Sequence, residues 1–126
     1  MHMQPLSFLR SIVLIILLSG CAKVDVDSIG LHHSVVKGGQ AEIDAGNVVD
    51  VNGLPGVWLA GHHTTHGAVF SNLGNIDIGD SVCVYSRCYT VFDIIVVPTS
   101  YQVTHELAPV VLQTSWYGNV LLVLAH

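Results

Sequence analysis

Hydrophobic positions in this chain come in short blocks, several of them alternating with polar residues, and the blocks are separated by clusters of Gly, Pro, Asn and Asp. The blocks fall at 34–36, 48–51, 57–60, 81–85, 88–97, 110–114 and 119–125, and the separators include "KGG", "DAGN", "NGLPG", "NLGNIDIGD" and "VPTS". Short runs rich in β-branched residues and bounded by turn formers are strand signals. Repeated at this spacing they predict an all-β barrel or sandwich. One short helical turn is expected at 68–74, and 101–107 is too polar to assign. No internal repeat, low-complexity tract or interdomain linker interrupts the pattern, so one globular domain is expected.

The first block is of a different kind. After Arg10 an apolar run, "IVLIILL", leads into "LSGC" ending at Cys21. The run is too short to span a bilayer as a helix, which takes about 20 apolar residues, and it fits the apolar region of a secretory signal. "LSGC" resembles the bacterial lipobox, which implies cleavage before Cys21, lipid on its thiol and anchoring to the outer face of the cell membrane. An ordinary cleaved signal and a short uncleaved anchor are the alternatives. All three readings export the domain. The expected organisation is a lipoprotein-type signal peptide at 1–20, a tether at 21–33 and a β-barrel domain at 34–126.

Charge narrows the partners. The net charge is -5, and Arg10, Lys23, Lys37 and Arg87 are the only Lys and Arg residues, too few and too scattered to hold a phosphate backbone. Nucleic acid is therefore not an expected partner. Export also changes the reading of Cys83 and Cys88 in "CVYSRCY", because in an oxidising compartment a close pair forms a disulfide more readily than a metal site. A two-residue hairpin turning at Tyr85 and Ser86 would set the cysteines opposite each other as a non-hydrogen-bonded pair, where Cβ atoms come closest.

The densest chemistry is "LAGHHTTHGAVFSNL", with His62, His63 and His66 just after an apolar strand. Three readings compete. As metal ligands, His62 and His66 would converge only on a helix, and "HHTTHG" is a poor helix without the Glu of zinc peptidases; no metal and no cofactor are expected. As loop histidines they would be ordinary surface residues. As a catalytic acid or base, one of them would need a nucleophile from elsewhere in the chain.

The segment "VVKGGQAEIDAGNVVDVNGLPGVWLAGHHTTHGAVFSNLGNIDIGDSVCVY" resembles the sortase family, in particular its small actinobacterial class E branch. The likeness lies in "PG" before a strand, "AGH" followed by "TTHG", "GD" before the next strand, and "VVLQTS" standing where the family has "LTLTTC". It implies an eight-stranded β-barrel with one or two short helical turns. It also implies a cell-envelope enzyme that cleaves an LPxTG- or LAxTG-type sorting peptide and passes the acyl group to an amine of peptidoglycan or pilin. His62 matches the family histidine, the general acid and base. Ser115 falls at the position of the family's nucleophilic cysteine. The family's arginine should lie near Asn119 or Val120, and no arginine follows Arg87. Asn119 is the candidate neutral donor to an oxyanion, and His63, His66, Thr114, Trp116 and Tyr117 are the candidate substrate contacts. Trp58, inside an apolar run, is expected in the core.

These departures have different chemical consequences. A thiol with a pKa near about 8.5 supplies thiolate at neutral pH, whereas a serine hydroxyl needs a neutral histidine base oriented by a third group. Glu106, Asp50 and Asp93 are the candidates for that group, and His66 or His105, when protonated, could stand in for the missing charge. The competing expectations are a serine acyl transferase or peptide hydrolase, a sortase with impaired chemistry, and a non-catalytic lipoprotein module that binds peptide or cell-wall ligand. In the plainest case Ser115 only bonds to backbone.

Overall fold

The computed structural model describes residues 22–126; the expected signal peptide and Cys21 lie outside them. The described chain folds into strands β1 (Lys23–Val26), β2 (Leu31–Gly38), β3 (Val48–Val51), β4 (Val57–Ala60), β5 (Ser81–Val84), β6 (Arg87–Val97), β7 (Val110–Trp116) and β8 (Asn119–Ala125), with one helix, α1 (Gln40–Asp44). Two 3-10 turns, Asp27–Ile29 and Leu73–Asn75, complete the elements. The strands close into a barrel in the order β1-β2-β3-β4-β7-β8-β6-β5.

Two strands begin where a tether was expected, which is a correction. "KVDV" alternates with period two, and Val24 and Val26 point into the barrel with no exposed surface. β1 closes the ring by pairing with both β2 and β5. β2 begins at Leu31, three residues before the expected block, and its start is not legible in the sequence because its buried residues Leu31 and Val35 are four apart. The helical turn expected at 68–74 is tighter and later, the 3-10 turn Leu73–Asn75, with Leu73 fully buried.

Two of the pairings are parallel, β2 with β3 and β4 with β7. Parallel neighbours need a crossover rather than a hairpin, and α1 serves that purpose between β2 and β3. Its first turn is capped by the Glu42 side chain, whose Oε1 accepts from the Gly39 N–H at 2.7 Å.

Alternation divides the apolar residues into two clusters. The barrel interior holds Val35, Val48, Leu59, Phe70, Leu112, Leu121 and Val123 among others. A second cluster, Trp58, Val111, Leu122 and Leu124 with Ala108, lies on the outer face of β4, β7 and β8, where the segment after β6 folds over it. Trp58 is core, as expected, and its indole N–H donates to the Gln113 Oε1 at 2.6 Å. The Cys83–Cys88 disulfide is formed, with Val84 opposite Arg87 and a turn at Tyr85 and Ser86, both in the left-handed region.

Candidate active site

β4 and β7 run side by side in parallel, with Ala60 level with Gln113 at the last ladder pair. Beyond it the Gly61 N–H donates to the Gln113 carbonyl at 3.2 Å, and the Thr114 Oγ1–H donates to the Gly61 carbonyl at 2.8 Å. Continuing that register brings the His62 backbone level with Ser115. Thr114 was expected to touch substrate; instead it is 2% exposed and spends its hydroxyl on fastening β7 to the exit of β4. Inward positions on β7 alternate with outward ones, so Ser115 points outward and is exposed.

Ser115 pairs across the β7–β8 ladder with Val120, and Trp116 pairs with Asn119. Directly paired residues share a face and successive ones alternate. Val120 therefore flanks the serine, and Asn119 lies on the other face. The expectation of Asn119 as oxyanion donor to Ser115 is corrected by this register. Trp116 is likewise on the inner side, packed against the barrel cluster and over Gly74. The His63 ring lies on it with centroids 5.0 Å apart. Tyr117, 82% exposed, meets both rings edge-on. His63, Trp116 and Tyr117 thus form one aromatic group at the rim, on the side away from Ser115.

The outward face beside Ser115 opens into a shallow groove of about 90 Å³, lined by Trp58, Val97, Tyr101, Gln113, Val120 and Leu122. Its polar walls come from Thr99, Tyr101 and Gln113, the last held by Trp58.

His62 does not bond to Ser115. Its Nε2 lies 2.9 Å from the Asp44 Oδ1 and its Nδ1 3.2 Å from the Thr65 Oγ1. The Thr65 Oγ1 is also 3.1 Å from the His66 Nδ1, and the His62 and His66 ring centroids are 4.5 Å apart. The two rings converge in a loop in which His66 itself has φ 48°, not on a helix. His62 and His66 therefore meet without a helix, contrary to the expectation that only a helix could bring them together. The His62 imidazole, and after it the Gln40 amide, hold the Asp44 carboxyl below its ordinary value.

Asp44 was missed in the sequence. It lies at the end of a five-residue helix too short to show periodicity, and its helix is signalled only by the need for a crossover between parallel strands. The carboxylates proposed for that role are elsewhere. Asp50 accepts from the Tyr85 hydroxyl at 2.7 Å, Asp93 accepts from the Ile94 N–H, and Glu106 sits by Gly56 at the opposite end of β4. His105 bonds to Thr104.

A closed eight-stranded barrel in which β4 and β7 run in parallel is the architecture of a sortase. The chain matches the Sortase domain family over residues 24–120 and belongs to that family. No curated protein matches the chain by sequence. Among solved structures it is similar to sortase E from Streptomyces avermitilis (18% identity, TM-score 0.71, covering 84% of this chain and 86% of that one). Sortase C-1 from Actinomyces oris is similar too (25% identity, TM-score 0.68, covering 82% and 71%). So is a Clostridium perfringens sortase D5 transpeptidase (19% identity, TM-score 0.65, covering 82% and 75%). No helix among the described residues is long and apolar enough to cross a membrane.

Proposed function

We propose that this sortase-family chain binds an extended sorting peptide of the LPxTG or LAxTG type at the outer face of the cell envelope, with its acyl-transfer chemistry impaired. Cys21 would carry the lipid that anchors it there, and an amine of peptidoglycan or pilin would be the acceptor if acyl transfer occurs. The peptide would lie in the groove between Trp58 and Val120, its scissile carbonyl at Ser115. One observation carries the reading: both ring nitrogens of His62 are bonded to Asp44 and Thr65, leaving neither for the Ser115 hydroxyl. A serine without a base is a poor nucleophile, and Val120, the residue paired with Ser115, offers no donor to an oxyanion.

The test compares wild type, Ser115→Cys and His62→Ala on sorting-signal peptides with an amine acceptor, alongside peptide binding. Binding in all three, with turnover only in Ser115→Cys, supports the proposal. Wild-type turnover abolished by His62→Ala would replace it with a serine acyl transferase. Absence of both binding and turnover would remove it.

The Asp44–His62 hydrogen bond favours that second reading, because a serine enzyme needs a third group to orient its histidine. For such an enzyme the ring must turn so that the nitrogen now on Thr65 reaches Ser115.

A further inference from the structure

Asp44, His62 and His66 each offer one ligand atom, and these three atoms lie within 4.8 Å of one another. No other group of three or more His, Cys, Asp or Glu side chains among the described residues meets that spacing. The three residues come from two separate segments, the end of α1 and the loop after β4, so their meeting is a product of the fold and not of sequence proximity.

The backbone holds the two segments together. Gly46, at φ 93°, packs so close to the loop that a Cβ there would stand 2.8 Å from the His66 carbonyl oxygen. Gly67, at φ 88°, lies against Gly46 in turn. Two glycines with left-handed backbone thus let the α1–β3 turn and the histidine loop touch main chain to main chain, fixing Asp44 beside both rings.

The hydrogen-bond order leaves a nitrogen lone pair in the cluster. With His62 neutral, its Nε2–H donates to the Asp44 carboxylate, so its Nδ1 accepts from the Thr65 hydroxyl. With His66 neutral as well, the Thr65 oxygen accepts from its Nδ1–H, which leaves the His66 Nε2 lone pair free. Two imidazoles and one carboxylate suit a borderline-soft divalent ion better than Ca²⁺ or Mg²⁺, which prefer all-oxygen shells. Zinc-to-ligand bonds of about 2.0–2.2 Å put tetrahedral donor atoms about 3.4 Å apart. The 2.9 Å Asp44–His62 contact would open slightly and the wider spacings close, motions available to side chains at the surface: Asp44 is 47% exposed, and His66 is exposed.

We propose that Asp44, His62 and His66 bind one divalent transition-metal ion of the zinc class at the barrel rim, with water completing the shell. The ion takes the His62 Nε2, the ring proton moves to Nδ1 and from there donates to the Thr65 Oγ1, and α1 is tied to the loop after β4. Occupancy withdraws His62 from any proton transfer at Ser115. The site stands whether or not Ser115 turns over.

The experiment titrates Co²⁺ and Zn²⁺ into the full chain, prepared without a polyhistidine tag, following the ligand-field bands of Co²⁺ and the heat of Zn²⁺ binding. One equivalent should bind, with affinity falling by an order of magnitude or more in Asp44→Ala and, separately, in His66→Gln. Affinity should be unchanged in His32→Ala and in His63→Ala. Circular dichroism of each variant reports folding, and His66→Gln and Asp44→Ala alter side chains at the surface. No saturable binding, wild-type affinity in His66→Gln or in Asp44→Ala, or loss of binding in His32→Ala would each overturn the proposal.

Discussion

Ser115 stands directly across the β7–β8 ladder from Val120, so the side chain beside the hydroxyl is an isopropyl group with no hydrogen-bond donor. Ser115→Cys restores a thiolate-forming nucleophile, and Val120→Arg in that background adds a charged donor. Because one oxyanion donor is worth roughly 10²- to 10³-fold in kcat, the double variant should exceed Ser115→Cys by a factor in that range on a sorting peptide. Asn119→Ala should leave both unchanged, since Asn119 pairs with Trp116 on the opposite face. Steady-state kinetics on the four proteins decide it, and equal kcat for the single and double variants would sink the assignment of Val120.

The contact between Asp44 and His62 predicts a second effect. In the Ser115→Cys background, with a chelator present, Asp44→Asn removes the charge that holds the His62 Nε2 and should raise kcat several-fold with little change in KM. A fall in kcat comparable to that of His62→Ala would instead make Asp44 the group that orients the base.

Trp116 is seated where residue 74 has no side chain, and a Cβ at Gly74 would collide with the far edge of the indole. Gly74→Ala should therefore cost about 1–3 kcal/mol, the range for overpacking a filled site. It should also shift the tryptophan emission as the ring leaves the barrel cluster and carries His63 with it. Urea unfolding followed by fluorescence measures both. A variant with wild-type stability and emission would mean that the ring is free to move.

What could be read in advance follows from what local pattern encodes. Strands β3 to β8 announce themselves because each buries one face against turn-bounded neighbours, and the Tyr85–Ser86 turn because its cysteines must face each other. β1 and the start of β2 were hidden because four residues carry too little alternation, and their pairing partners are remote: Val24 lies opposite His33 on one side and Val84 on the other. His62 stood out in a cluster of three histidines after a strand, and its pairing with Ser115 came from resemblance alone. Asp44 did not, because its place beside His62 depends on the parallel β2–β3 crossover and on a backbone contact at Gly46. Facing was also illegible at the β7–β8 turn, where a shift of one residue exchanges Asn119 for Val120.

The Tyr85–Asp50 hydrogen bond makes a prediction about pH. Burial, reinforced by the Asp50 carboxylate 2.7 Å away, raises the Tyr85 phenol well above its ordinary value of 10.0. Below that ordinary value the phenol is neutral in folded and unfolded chains alike, and its contribution to stability is complete. As pH climbs past it the unfolded chain releases the proton first, so unfolding gains and stability declines until the folded phenol ionises too. Tyr85→Phe should cost about 1–3 kcal/mol at pH 8, because Asp50 keeps its burial and loses its donor. The variant should lose less stability than wild type between pH 8 and 10.5. Urea midpoints for the two proteins at both pH values test this, and parallel declines would show that the bond does not persist in solution.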